Sequence, residues 1–182
     1  MTVLTESRLR TAWQAAHDPV AGVPRWTRIV AYCVPFTVLP AGLWRIATCT
    51  FHLPIALGRA DSGNLPWWLP LEVYVLLLSV LSELLAFTAV GLVAGWGEVF
   101  PRWIPGLRGR RVPVAAAVGP AAVGAGLLTA GTVVLVAIVP FSRAPFDYHR
   151  WQGVLAIACY APLLLWGPLL AVLTVAYWRR RG

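Results

Sequence analysis

The stretch Leu69–Ala94 constrains the fold more than any other, because it is longer than a bilayer span and carries only two charged side chains. A helix of about 20 apolar residues crosses the hydrocarbon core of a membrane. Glu72 and Glu83 are eleven residues apart. At about 100° per residue they lie about 20° apart around a helix, with Ser79 on the same side. We therefore expect this acidic side to face protein or water rather than lipid.

The composition of the chain places it among membrane proteins. Hydrophobic residues make up 59% of it and charged residues only 12%, and the mean hydropathy is +0.71. A soluble domain of this length has too little interior to bury so much apolar surface. The apolar runs are continuous rather than alternating, which excludes a membrane β-barrel. The sequence therefore predicts an all-α protein, a four-helix transmembrane bundle.

The apolar runs divide the chain into a polar N-terminal segment, residues 1–26, and a single four-helix membrane domain, residues 27–182. The predicted spans are about 29–49, 69–94, 113–140 and 151–178. Pro35 and Pro40 lie within the first span, so we expect that helix to bend or loosen near its middle.

The arginines predict the orientation in the membrane. All fifteen cationic side chains are arginine, and eleven of them flank the spans on the side that contains both termini. Only Arg59, Arg143 and Arg150 lie in the loops on the other side. Cytoplasmic segments carry the excess of basic residues, so we expect both termini to be cytoplasmic. The use of arginine without lysine, together with the abundance of Ala, Gly, Val and Leu, suggests a bacterial genome rich in G and C, and we expect a bacterial cytoplasmic membrane. The net charge of +8 then reflects orientation and lipid headgroups, and no nucleic-acid partner is expected.

A set of polar side chains is predicted to lie within the membrane. It consists of Arg45, Glu72, Ser79, Glu83 and Tyr160. Arg45 lies about 24 Å along the first span, and Glu72 lies in the first turn of the second, at a similar depth. Each would cost about 2.5–3.5 kcal/mol if it entered the membrane unpaired, so the two are expected to form an ion pair.

Glu83 differs from Glu72 because no second arginine lies at its depth. It is about 20 Å along the second span, in the inner half of the membrane. The carboxyl group must therefore be protonated, hydrogen-bonded or hydrated. The candidate hydrogen-bond donors are hydroxyl groups of Tyr32, Thr37, Ser79, Ser82 and Tyr160.

The loop between the second and third spans is rich in tryptophan and arginine. Its Pro101 and Pro105 exclude a long regular helix. The residues expected to contact lipid headgroups are Trp96, Arg102, Trp103, Arg108, Arg110 and Arg111. A dedicated phosphate site is the alternative, but the loop has no Gly-Lys-Ser/Thr sequence to form one.

Small residues repeat every four positions in the third span, at Ala122, Gly126 and Ala130. Such a stripe lets another helix approach closely. We expect it to pack within the bundle, with a homodimer contact as the alternative. The three cysteines, at positions 33, 49 and 159, have no metal-ligand spacing and are expected to be small buried residues. Neither a metal nor a cofactor is predicted.

Two segments resemble a known family. LSELLAFTAVGLVAGWGEVFPRWIPGLRGRRVP and CYAPLLLWGPLLAVLTVAYWRRR are similar to an uncharacterised family of small four-span integral membrane proteins from Streptomyces-type actinobacteria. They cover about a third of the chain, and W-G-E-x-x-P-R-W-x-P is their most specific pattern. The resemblance implies a four-helix inner-membrane protein. It implies no catalytic residue, substrate or cofactor.

Three functions are compatible with these features. The first is a non-enzymatic protein that contacts membrane lipids or serves as an accessory subunit of a second copy or another membrane protein. The second is a membrane-embedded enzyme of isomerase or cyclase type, with Glu83 as general acid toward a lipid or isoprenoid. The third is a proton or small-solute pathway along the polar side chains. The first hypothesis requires the fewest assumptions.

Overall fold

The computed structural model describes residues 22–57, 65–97, 111–138, 147 and 149–182, and in these ranges the chain is mainly helical. The helices are α1 (Arg25–Arg45) with a π-helical turn (Ile46–Thr50), α2 (Leu71–Gly91), a 3₁₀ turn (Gly95–Gly97), α3 (Val114–Ile138), α4 (Trp151–Tyr160), a 3₁₀ segment (Ala161–Leu165) and α5 (Trp166–Arg181). Of the polar N-terminal segment, residues 1–21 lie outside the described ranges.

Four helical stretches are long and apolar enough to cross a membrane. They are Arg25–Thr50, Leu71–Gly91, Val114–Ala137 and Trp151–Arg181. The all-α bundle of four spans predicted from the sequence is therefore confirmed, with ends that differ from the predicted ones by a few residues. The chain is a multi-pass membrane protein.

The four spans form a row rather than a closed ring. α1 packs against α2 on one side and against α4 and α5 on the other, while α3 packs against α5. The core is built mainly from small side chains, such as Ala31 and Val34 of α1 and Ala86 and Ala89 of α2, all exposed by 1% or less. Small side chains let helix backbones approach closely, which is the main source of packing energy inside a membrane.

The first span does not loosen at its middle. Pro35 and Pro40 each lack a backbone N–H donor, yet α1 continues through both. The loosened turn comes later, at Ile46–Thr50, where the Phe51 N–H bonds the Ile46 carbonyl at 3.1 Å. His52 follows in the left-handed backbone region, with φ of 51°. This wide turn brings the chain from α1 over the beginning of α2.

The fourth span changes its helical pitch between α4 and α5, at the 3₁₀ segment that contains Pro162. Just beyond it, Gly167 is buried against α3. A Cβ atom on Gly167 would lie 2.8 Å from the Thr129 backbone nitrogen. Gly167 therefore permits a backbone-to-backbone contact that a larger residue would prevent.

The small-residue stripe of α3 does not pack within the bundle, contrary to our expectation. Ala122, Gly126 and Ala130 are exposed and line an open groove of about 720 Å³ between α3 and α5. The physical reason is the close approach at Gly167, because it directs Thr129 toward α5. The stripe lies on an adjacent part of the helix circumference and is left facing the surroundings.

Candidate functional site

The polar stripe of α2, formed by Glu72, Ser79 and Glu83, lies on the side of α2 that faces the bundle. Ser79 is 4% exposed, and its Cβ lies 3.8 Å from the position that a Cβ on Gly42 of α1 would take. Glu72 and Glu83 are half-buried, whereas Leu77 and other leucines on the opposite side are exposed. The acidic side of the helix is thus turned toward α1.

Glu83 has no hydrogen-bond or ion-pair partner among the described residues. Two of the hydroxyl groups expected to serve it bond to carbonyls of their own helices. Thr37 Oγ1 donates to the Val34 carbonyl and Ser82 Oγ to the Leu78 carbonyl, both at 2.7 Å. The carboxyl group is therefore left to a proton, to water or to a group outside the described chain.

Ser79 is the second unpartnered member of the polar stripe. Its Oγ atom is fully buried and has no hydrogen-bond partner in the described part of the chain. Residues four apart on a helix are neighbours, so Ser79 and Glu83 lie one turn apart on the same side. The stripe thus contains two adjacent groups with unused hydrogen-bonding capacity.

The expected ion pair between Arg45 and Glu72 is wrong. Oε1 of Glu72 lies 3.5 Å from Nε2 of His52 instead. The Arg45 guanidinium is close enough to the Tyr160 phenol for the two to interact electrostatically. The physical reason is helical phase. Gly42 faces α2, and Arg45, three residues later, lies about 60° away around α1, so its side chain reaches the fourth span.

Arg45 remains incompletely satisfied in this position. Its Nε atom is buried and has no hydrogen-bond partner among the described residues. Cys49 and Cys159 are half-buried and lie near Tyr160. Cys33, expected to be buried, is exposed on α1. In a membrane a small thiol on the lipid-facing side carries little cost, which explains the difference.

Most of the predicted headgroup contacts lie outside the described residues. This applies to Arg102, Trp103, Arg108 and Arg110 and to the side chain of Trp96. Arg111 is described and is exposed just before α3. The expectation for this loop therefore stays a prediction.

The structure brings together a second polar region, which we call the arginine end. It consists of residues 22–28, 92–94 and 176–182, where α1 begins and where α2 and α5 end. Arg180 Nη2 donates to the Leu92 carbonyl at 3.3 Å, and its guanidinium lies 5.4 Å from the centre of the Tyr177 ring. Arg181 Nη1 donates to Tyr177 Oη at 2.8 Å. Sequence reasoning used these arginines only as markers of orientation and missed their contacts.

A cavity of about 320 Å³, the arginine-end cavity, opens between these segments. Thr27 lines it and is 4% exposed, and its Oγ1 atom has no hydrogen-bond partner among the described residues. Arg179 also lines the cavity and is exposed. The first turn of α1 lies beside it with no side-chain cap, so its first backbone N–H groups have no partner in the helix.

Within the described ranges, no three His, Cys, Asp or Glu side chains are grouped so that they could bind a metal ion. No family model, no curated protein and no solved structure matches this chain. Its function is therefore inferred from the geometry of its own residues.

Proposed function

We propose that this chain is an accessory protein of the bacterial cytoplasmic membrane that contacts lipids and binds a second copy or another membrane protein, without chemistry of its own. The open row of spans is the observation that carries this proposal. In an 18-residue apolar stretch of α3, only 6% is buried within the chain, against 39% in a stretch of the same length in the first span. A helix so little covered by its own chain is available to lipid or to a partner helix.

The proposed orientation has both termini in the cytoplasm. The arginine end carries Arg25, Arg28 and the three arginines at positions 179–181, and Arg111 stands before α3 on the same side. At the opposite end, the arginines among the described residues are Arg45 and Arg150. This asymmetry supports cytoplasmic termini by the positive-inside rule.

Reporter fusions test the orientation. A fluorescent protein that folds only in the cytoplasm is fused after residue 182, and alkaline phosphatase, which is active only outside it, is inserted near residue 62. Both fusions are expected to be active. An inactive fluorescent fusion together with an active phosphatase fusion after residue 182 would contradict the proposed orientation.

The accessory role is tested by measuring the mass of the protein in its native membrane. Solubilisation in a polymer that retains the lipid disc, followed by mass photometry, separates the 19.8 kDa chain from larger assemblies. An assembly containing two copies or a second protein is expected. Substituting Leu for the exposed Gly126 of α3 is expected to dissociate it. Substituting Ala for Leu43, which is exposed on α1, serves as the control and is expected to leave the assembly intact.

The second and third functions have a specific basis in Glu83, an acid in the second span that has no partner among the described residues. A general acid or a proton carrier needs an ionisable group of this kind. However, Glu83 does not line the arginine-end cavity or the groove between α3 and α5. Replacing Glu83 with Gln removes the titratable group and keeps the shape of the side chain, so it separates these hypotheses from the accessory role.

Two measurements use that variant. The first compares the proton flux of proteoliposomes that contain the wild type or Glu83→Gln. The second compares the lipid and isoprenoid content of cells that express either protein. The accessory role predicts no difference in either measurement, and a flux or product that depends on Glu83 would overturn it.

A further inference from the structure

The arginine-end cavity has the chemistry of an anion site. Arg179 and Arg180 line it, and no Asp or Glu side chain is among its described lining residues. The first turn of α1 contributes N–H groups that have no partner in the helix, and helix N-termini favour anions. The Thr27 hydroxyl, which is buried beside them, also has no partner among the described residues. Phosphate oxygens accept hydrogen bonds from all these donors.

The cavity lies at the depth expected for lipid headgroups. Trp26 and Trp178 are 51% and 56% exposed beside it, at the end of the first and fourth spans. Exposed tryptophans at the ends of spans mark the boundary between headgroups and acyl chains. An anion bound at this position would therefore lie at the membrane interface.

An apolar surface continues from the cavity toward the middle of the membrane. A groove of about 400 Å³ shares Trp26 and Arg179 with the cavity and passes over Val172 and Val175 of α5. The groove between α3 and α5 then shares Ala171 and Val175 with it. From Arg179 to Ala171 this trough along α5 extends about 12 Å. A free phosphate ion would use none of it, whereas an acyl chain would fill it.

We propose that the arginine end binds one anionic phospholipid of the surrounding bilayer, with its phosphate in the cavity and an acyl chain in the trough along α5. This inference rests on the proposed function only in requiring that the arginine end lies at a membrane surface. Arg180 is oriented by Leu92 and Tyr177, and the exposed Arg179 supplies the adjustable contact to the phosphate.

Native mass spectrometry of the full-length protein in detergent tests the proposal. The protein is titrated with phosphatidylglycerol, with phosphatidylcholine and with inorganic phosphate. Phosphatidylglycerol is expected to bind about tenfold more tightly than phosphatidylcholine. Both lipids carry the phosphate, but only phosphatidylcholine also brings a cationic ammonium group, which the arginines of the cavity repel. Inorganic phosphate is expected not to compete. Equal binding of the two lipids, or full competition by phosphate, would overturn the proposal without any variant.

Matched variants locate the site. Arg179→Gln and Val175→Phe are expected to lower the affinity for phosphatidylglycerol about tenfold and severalfold, because one removes charge and the other fills the trough. Arg150→Gln and Val154→Phe change exposed residues of the same types at the other end of the fourth span, away from the cavity, and are expected to have no effect. Equal effects of test and control variants would overturn the assigned location.

The test also separates this inference from the proposed function. A protein that remains in the membrane fraction and keeps its proposed orientation, yet shows no preference for the anionic lipid, would overturn only the lipid site. The helical content of each variant, measured by circular dichroism in the same detergent, confirms that the fold is retained.

Discussion

The first and third spans are both apolar helices with several small residues, yet they occupy opposite positions in the bundle. Among the described helices, the first span packs against α2 on one side and against α4 and α5 on the other, whereas the third packs mainly against α5. Within an 18-residue apolar stretch of each span, 39% is buried in the first and 6% in the third. The first contains Arg45, two prolines and the buried Thr27 and Thr37, whereas the third has no charged side chain. In a membrane, then, it is the polar content of a helix rather than its hydrophobicity that decides which helix needs neighbours.

The largest effect is expected where the core around α1 is opened. Tyr177 is 2% exposed and belongs to the same cluster as Ala31 and Val34 of α1. Tyr177→Ala is expected to lower the free energy of unfolding by about 3–5 kcal/mol, because it leaves a large cavity. Reversible unfolding in mixed micelles measures the change. The exposed neighbour Trp178 provides the control, and Trp178→Ala is expected to stay within about 0.5 kcal/mol.

The contact between α3 and α5 tests the other side of the comparison. Gly167→Leu is expected to lower the free energy of unfolding by about 1–3 kcal/mol, because its side chain would separate α5 from the Thr129 backbone. Gly131→Leu, on α3, has open space around it and is expected to have little effect. Protease cleavage between α3 and α4 gives a second measurement. Equal stability of the two variants would contradict the close approach.

A single matched pair compares α1 and α3 directly. Val34 of α1 is fully buried, and Val136 of α3 is 53% exposed. Val34→Ala is expected to cost about 1 kcal/mol through lost packing, and Val136→Ala close to nothing. The same unfolding measurement applies. A larger cost at Val136 would mean that a partner covers α3 under the conditions used, and the difference in burial would then not hold for the assembled protein.

The smallest effect is expected at Glu83. Because the carboxyl group has no partner among the described residues, Glu83→Gln is expected to change the free energy of unfolding by less than about 0.5 kcal/mol. Glu83→Leu is expected to leave it unchanged or to raise it, since no hydrogen bond is lost and a polar group leaves the membrane. A loss of about 2 kcal/mol in either variant would contradict the unpartnered state of Glu83.

The sequence sufficed to predict the number of spans and the side of α2 that faces the bundle. Both depend on local properties, since the length of an apolar run and the angle between Ser79 and Glu83 follow from helical geometry alone. The sequence did not suffice to predict the partner of Arg45, because that partner depends on which helix packs against each side of α1. The prediction also failed for the stripe at Ala122 and Gly126. Which side of α3 packs against α5 depends on the close approach of Gly167, a residue of another span.

The arginine end illustrates the same limit. Three consecutive arginines at the end of an apolar helix are typical of a topogenic signal, and nothing local shows that one of them reaches the end of α2. The sequence likewise did not single out Thr27, because only the structure shows that its hydroxyl group is buried without a partner among the described residues. Contacts between residues far apart in the chain are what helical periodicity cannot supply.

The bond from Arg180 to the Leu92 carbonyl joins residues 88 positions apart. Because α1 and α2 are synthesised before α5, the hydrogen bond between Arg180 and Leu92 forms only after the fourth span has been made. Until then the Leu92 carbonyl and the beginning of α1 lack the cover that α5 provides. A chain that stops before its last span would therefore expose the residues of α1 and α2 that α5 covers in the complete fold.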